Sequence, residues 1–113
     1  MLALAATLLA LAGPPPATAG GGRLAVSSWC WGARCGAPIA ASARTIHVAR
    51  GSTVRVQLTF EPAQVQLAVA GARQTTAVHG HEVEWRARRA GGFTLRVTST
   101  RGWVIYVGRL AVS

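Results

Sequence analysis

Gly51 to Phe60 reads G-S-T-V-R-V-Q-L-T-F. Val54, Val56, Leu58 and Phe60 share one parity; Arg55, Gln57 and Thr59 share the other. Successive side chains on a strand point to opposite faces, so the stretch offers an oily face to a core and a wettable face to solvent. Gly51 and Ser52 supply a turn just ahead of it. Glu61-Pro62 ends it, because proline has no N–H to give a neighbouring strand.

The same alternation recurs on both sides. Downstream, Val65, Leu67 and Val69 alternate until Gly71. Ala72 to Val78 is polar and mixed, a loop or weak edge strand. His79-Gly80-His81 makes a turn, after which Val83 and Trp85 face in and Glu84 and Arg86 face out. Arg88 to Gly92 turns the chain again; Phe93, Leu95 and Val97 then point in, with Thr94, Arg96 and Thr98 pointing out. Arg101-Gly102 is the last turn. Trp103 to Val112 begins apolar on both parities, the mark of a strand central in its sheet or lying under a loop. Upstream, Ile46 and Val48 alternate against His47. Gly36 to Arg44 is a loop of small residues around Pro38, and Arg23 to Ser28 reads as a first strand with Leu24 and Val26 on one face. About seven short antiparallel strands, with turn signals every 8–12 residues or so, predict an all-β chain folded as an immunoglobulin-like β-sandwich. A small Greek-key barrel is the competing arrangement.

The first residues are of another kind. Leu2 to Ala12 is an uncharged apolar run, well short of the roughly 20 residues a spanning helix needs. Pro14-Pro15-Pro16 follows, then Ala17-Thr18-Ala19, an A-x-A site. This is the order of a cleavable export signal cut before Gly20, although no Lys or Arg precedes the apolar run. The reading divides the chain into a signal peptide (1–19), a flexible glycine lead-in (20–22) and a single sandwich domain (23–113). It predicts a secreted product with no stable membrane span after processing. No Cys stands directly after the run, so a lipid anchor is not indicated.

The chain carries a formal net charge of +9, from twelve basic residues, all Arg, against Glu61, Glu82 and Glu84. Such an excess favours polyanions. Outside the cell these are anionic surface polymers, lipid head groups or acidic glycans rather than nucleic acid. Arg86, Arg88 and Arg89 form the densest cluster. The plainer reading makes the arginines a solvated face that keeps a valine-rich sandwich in solution.

Cys30 and Cys35 lie within S-W-C-W-G-A-R-C-G, Ser28 to Gly36. In an exported chain they most simply form one disulfide. Closing so short a loop stabilises by roughly 2 kcal/mol in the chain-entropy account. Trp29 and Trp31 flank Cys30 on the opposite parity. Two readings stay open: they cover the bridge and the open end of the core, or they stand exposed as a ligand platform.

The run W-C-W-G-x-x-C, then V-x-x-G-S-T-V-R-V-x-L-x-F, A-G-G-F-T-L-R-V and W-x-x-Y-x-x-x-L-x-V, resembles small secreted proteins of actinobacteria. In these an aromatic-Cys-Trp-Gly segment with a nearby Cys precedes an immunoglobulin-like domain. The resemblance covers most of Arg23 to Ser113 and implies fold and export; it implies no activity.

Sites for chemistry are thinly supported. V-x-x-G-S-T-V also occurs in cupredoxin-like domains, but a blue-copper site wants two His, a Cys and usually an axial Met. The one Met is Met1. His79 and His81 are the weak metal candidates, and His47 would have to arrive from elsewhere in the fold. Glu82 and Glu84 share a parity and read as a surface ion-pair row with His81, Arg86 and Arg88. There is no G-x-S-x-G and no phosphate loop. The sequence therefore predicts no enzyme and no cofactor, but a binding module acting at or outside the cell surface. The alternative is an accessory subunit docking to a larger exported protein through a sheet edge or its tryptophan-rich end.

Overall fold

Val54, Val56 and Leu58 take the buried positions of a strand with Arg55 and Gln57 exposed between them. A computed structural model describes this strand and its surroundings over residues 13–36 and 43–113. The apolar run Leu2 to Ala12 and the loop around Pro38 lie outside the described residues. In chain order the strands are β1 (Ala17–Ala19), β2 (Gly22–Arg23), β3 (Ala25–Trp31), β4 (Arg34–Gly36), β5 (Arg44–Val48) and β6 (Thr53–Leu58). Then come β7 (Gln64–Val69), β8 (Ala72–Gln74), β9 (Ala77–His79), β10 (Glu82–Arg86), β11 (Gly91–Ser99) and β12 (Gly102–Val112). The expected seven strands become more numerous because several are split into pieces of two or three residues that serve different sheets.

The first sheet runs β2-β1-β6-β10-β9 and the second β4-β3-β12-β11-β7-β8. Strand β12 is central: β11 lies along one side, while β3 covers Gly102 to Val107 on the other and β5 pairs in parallel with Gly108 to Val112. The two sheets face each other across one core. Val56 and Val83 from the first sheet and Leu95, Val97, Val104 and Tyr106 from the second are fully enclosed. This is an immunoglobulin-like β-sandwich, with the chain passing between sheets after β2, β5, β6, β8 and β10.

The inward parity of β12 is Val104, Tyr106, Gly108 and Leu110, leaving Trp103, Ile105 and Val107 half-buried on the outer face. That resolves a strand that reads apolar on both faces. Gly108 is required by packing: it lies opposite Phe93, whose ring occupies the space a Cβ would fill.

Three features at the front differ from the sequence reading. Arg23 to Ser28 is not one strand, since Leu24 carries the chain from the first sheet to the second. Gly20 and Gly21 are not a lead-in; they form the turn of the β1–β2 hairpin, and both hold a positive φ of the kind such two-residue turns demand. And Ala17 to Ala19, read as the end of a leader, pairs with β6 and buries Ala17 and Ala19 against the core. The folded part thus begins before Arg23. The hydroxyl of the buried Tyr106 donates to the carbonyl of Pro15 at 2.6 Å.

Burial raises the Tyr106 phenol above its ordinary value of 10.0. The neutral form is favoured in the fold, so this contribution is complete below the unfolded pKa and is lost as pH climbs past it. Tyr106 is the one tyrosine and the chain has no lysine; arginine stays protonated throughout that range. Stability should therefore fall above about pH 10, with phenolate absorbance rising only as the sandwich unfolds. Tyr106→Phe should abolish that fall; phenolate appearing while the β-sheet circular dichroism is intact would contradict the burial. Separately, Leu95→Ala should cost about 2–5 kcal/mol in denaturant melts.

Candidate ligand-binding cleft

Strand β9 pairs with β10 from His79–Glu82 to Ala77–Glu84 and then stops. Beyond it the edge of β10 runs on through Trp85 and Arg86, with no strand partner on that side among the described residues. Strand β8 belongs to the opposite sheet and ends at Gln74. Thr75 and Thr76 cross between the sheets, so the sandwich opens into a cleft of about 560 Å³. The walls include Arg73, Arg86 and Arg88, with Thr53, Thr75 and Thr76 offering hydroxyls and Trp85 lining the interior. Gln74 Nε2 donates to the Arg86 carbonyl at 2.6 Å, tying the two sheets together across the opening.

Three guanidiniums border this cleft against one carboxylate, Glu84. Glu84 is already engaged on the outer face of the first sheet, by Arg55 at 3.5 Å and His79 at 3.5 Å. Arg86 spends one N–H on the Gly51 carbonyl at 3.3 Å, and the Arg50 side chain reaches the Arg88 carbonyl at 3.2 Å. Each guanidinium carries five donors in a planar fork suited to carboxylate, sulfate or phosphate oxygens. Trp85 is 3% exposed, and its Nε1–H has no hydrogen-bond partner among the described residues. Such a buried, unpaired donor costs about 1–3 kcal/mol unless something accepts from it.

The cleft does not end at Arg73. A second depression of about 310 Å³, along Val65 to Leu67 and Arg73 to Thr76, shares Arg73, Gln74, Thr75 and Thr76 with it. A third, of about 370 Å³, lies on the outer face of the second sheet between Arg73, Gln66, Thr94, Arg96 and Ile105. Arg96 caps this end, its guanidinium carbon 5.0 Å from the centre of the Trp103 ring. All three depressions meet at Arg73.

The residues singled out by sequence fall in several places. Arg86 and Arg88 come together in the cleft; Arg89 is exposed and is not among its lining residues. Cys30 and Cys35 are directly opposite in the β3–β4 hairpin and are joined as a disulfide. Residues opposite one another share a face, and Cys30 lies opposite Trp103, so the bridge is on the outer surface. Trp29 and Trp31 are on the inner one. The reason is a bulge: Val26 pairs with Tyr106 but Ser28 with Ile105, so Ser27 is an extra residue that reverses parity. Trp29 then packs across Gly36, where a Cβ would overlap its indole, and Trp31 sits 4.8 Å from Phe60, closing the end of the core. Both tryptophans are half-buried and packed against the core.

Glu82 and Glu84 do form a surface ion-pair row, but their partners are across the sheet and not along the chain. Arg55 and His79 replace the expected His81, Arg86 and Arg88. His79 and His81 flank the β9–β10 turn, while His47 is on β5 in the other sheet. No group of three or more His, Cys, Asp or Glu side chains lies together among the described residues. No helix among them is long and apolar enough to cross a membrane.

No protein-family model and no curated protein matches the chain. Among solved structures it is similar to a chimeric titin Z1Z2 functionalised with a KLER exogenous peptide from decorin, at 16% identity and a TM-score of 0.48. That alignment covers 78% of this chain and 97% of the other. It is also similar to a chain of a mutant titin M10–obscurin-like 1 Ig complex, at 16% identity and a TM-score of 0.45, covering 78% of this chain and 95% of that one.

Arg73, Thr75, Thr76 and Arg96 were not singled out by sequence. Arg73 stands in a stretch read as loop or weak edge, and nothing in its spacing signals that β8 and β9 enter different sheets. The disulfide gives the local test. Cys30→Ser with Cys35→Ser should lower stability by about 2 kcal/mol, while thiol titration of the oxidised wild type should find no reactive Cys.

Proposed function

We propose that this chain is an exported, non-catalytic binding module that holds an extended anionic polymer outside the cell. The polymer lies along the arginine track from Arg88 and Arg86 through Arg73 to Arg96. The observation that carries the reading is that the three depressions share Arg73, which makes one continuous path and not an isolated pocket. An open path of this kind suits a chain of repeated carboxylate, sulfate or phosphate groups. A small molecule would be better served by an enclosed cavity.

The electrostatics support the same reading. With only three acidic residues in the chain, two of them engaged with Arg55 and His79, the field over the track is set by guanidiniums. Charge-assisted hydrogen bonds from their forks give the contacts direction, and the threonine hydroxyls along Thr75 and Thr76 add neutral ones. Export agrees with the disulfide, which is stable in an oxidising setting.

The experiment is retention on an immobilised sulfated glycan in a salt gradient. Binding should weaken steeply as salt rises. Arg73→Ala, at the junction, should weaken it by roughly tenfold, the value of one good charge-assisted contact. Arg89→Ala removes the same charge away from the cleft and should change it little. Equal effects from both variants would mean that net charge alone is responsible and would overturn the track. Salt-insensitive co-purification with one exported protein would favour a docking subunit instead.

A further inference from the structure

Two A-x-A sites stand at the end of the apolar run and just beyond it, Ala10-Leu11-Ala12 and Ala17-Thr18-Ala19, seven residues apart. Each offers small residues at the positions an export peptidase reads. We infer that the cut falls after Ala12, so that the exported chain begins at Gly13 and keeps Gly13 to Ala19 as part of the folded domain. This rests on the export reading above and on nothing proposed about the ligand.

Ala17-Thr18-Ala19 belongs to the folded domain. Ala17 and Ala19 are 1% and 4% exposed, with Thr18 pointing out between them. Ala17 and Thr18 lie opposite Leu58 and Gln57 in the ladder with β6, and Thr18 and Ala19 lie opposite Arg23 and Gly22 in the hairpin with β2. The Leu24 N–H donates to the Ala17 carbonyl at 2.9 Å. From β5, Arg44 Nε donates to the Ala19 carbonyl at 3.1 Å, and its Nη2 donates to that of Gly20. Further forward, Pro15 accepts from Tyr106, the most voluminous of the fully buried side chains. A cut before Gly20 would remove all of these partners except Gly20 itself. The β6 edge would lose its neighbour, β2 would have no strand to pair with, and the Tyr106 hydroxyl would be left buried with no acceptor.

The A-T-A pattern therefore has a structural cause. A strand lying close against Leu58 wants small side chains on its inner parity, and the same residues at that spacing imitate a peptidase site. Ala10-Leu11-Ala12 closes the apolar run directly and precedes every described residue.

The full-length chain, expressed in a host that exports it, should be recovered from the medium and its first residue found by N-terminal sequencing and intact mass. A Gly13 start is expected. A Gly20 start would overturn the inference while leaving export intact, and a Met1 start retained in cells would overturn both. Ala12→Tyr, bulky at the scissile position, should lower the yield of the Gly13 form at least about tenfold; unchanged processing would sink the proposal. Finally, chains beginning at Gly13 and at Gly20 should differ in Tm by about 5–10 °C or more. A shorter chain that is no less stable would show that the segment does not belong to the domain.

Discussion

The contact of the two inner faces is the constraint on which the rest of the molecule depends. Val54, Val56, Val83 and Trp85 on one side meet Leu67, Val69, Phe93, Leu95, Val97, Val104 and Tyr106 on the other. No charged side chain enters that layer among the described residues. Apolar burial is non-directional, so it alone does not choose a register. Here register is chosen because a slip of one residue would send every arginine and glutamate of β6, β10 and β11 into the core. The same charge pattern that makes the surface basic therefore also makes the fold unique. Trp85 meets Phe93 edge-on at 5.4 Å, a preferred aromatic geometry that adds to the burial.

That constraint sorts charge unevenly between the outer surfaces. On the first sheet, Glu82 and Glu84 face Arg55, Gln57 and His79 across the strands, and the charges largely satisfy one another. The edge where β8 gives way to β9 has no such compensation. Arg73 comes from one sheet and Arg86 from the other, and they meet only because the chain changes layers at Thr75-Thr76. Function, on the reading proposed, is then a by-product of a layer change: the crossing that completes the sandwich also leaves a gap at its rim and lines it with guanidiniums.

Much of the fold was legible because period-two alternation reports directly on half-burial. Val54 to Leu58, Val83 to Trp85 and Phe93 to Val97 all turn the side chains inward that their parity indicates. What alternation does not carry is any change of layer or phase. Ser27 adds one residue, which turns Trp29 and Trp31 toward the core and Cys30 to the outer face. Leu24 shifts the chain between sheets in a single step. Ala17 and Ala19 are too small for a hydropathy signal, so their burial was invisible and a peptidase motif was the stronger pattern. The candidate cleft was legible only in part. Arg86 and Arg88 stand out as neighbours in sequence, but Arg73 joins them through topology, and a contact made by topology leaves no local mark.

The way the edges are built bears on how the domain meets a partner. The strands at the rims are short: β2 and β9 in the first sheet, β4, β5 and β8 in the second. Four of the five bear an arginine, Arg23, Arg34, Arg44 or Arg73. Short, charged edges discourage another strand from extending the sheet. Where a carbonyl does stand open, as at Arg86 beside the cleft, Gln74 occupies it. Little main-chain surface is left on offer at that rim, so recognition falls to side chains. Those at hand are cationic forks arranged along an open groove, with the Arg96–Trp103 pair at one end. On the reading proposed, a partner that is itself a line of anionic groups meets that geometry without needing a sheet to extend, so contact falls to the arginine track and not to a strand edge.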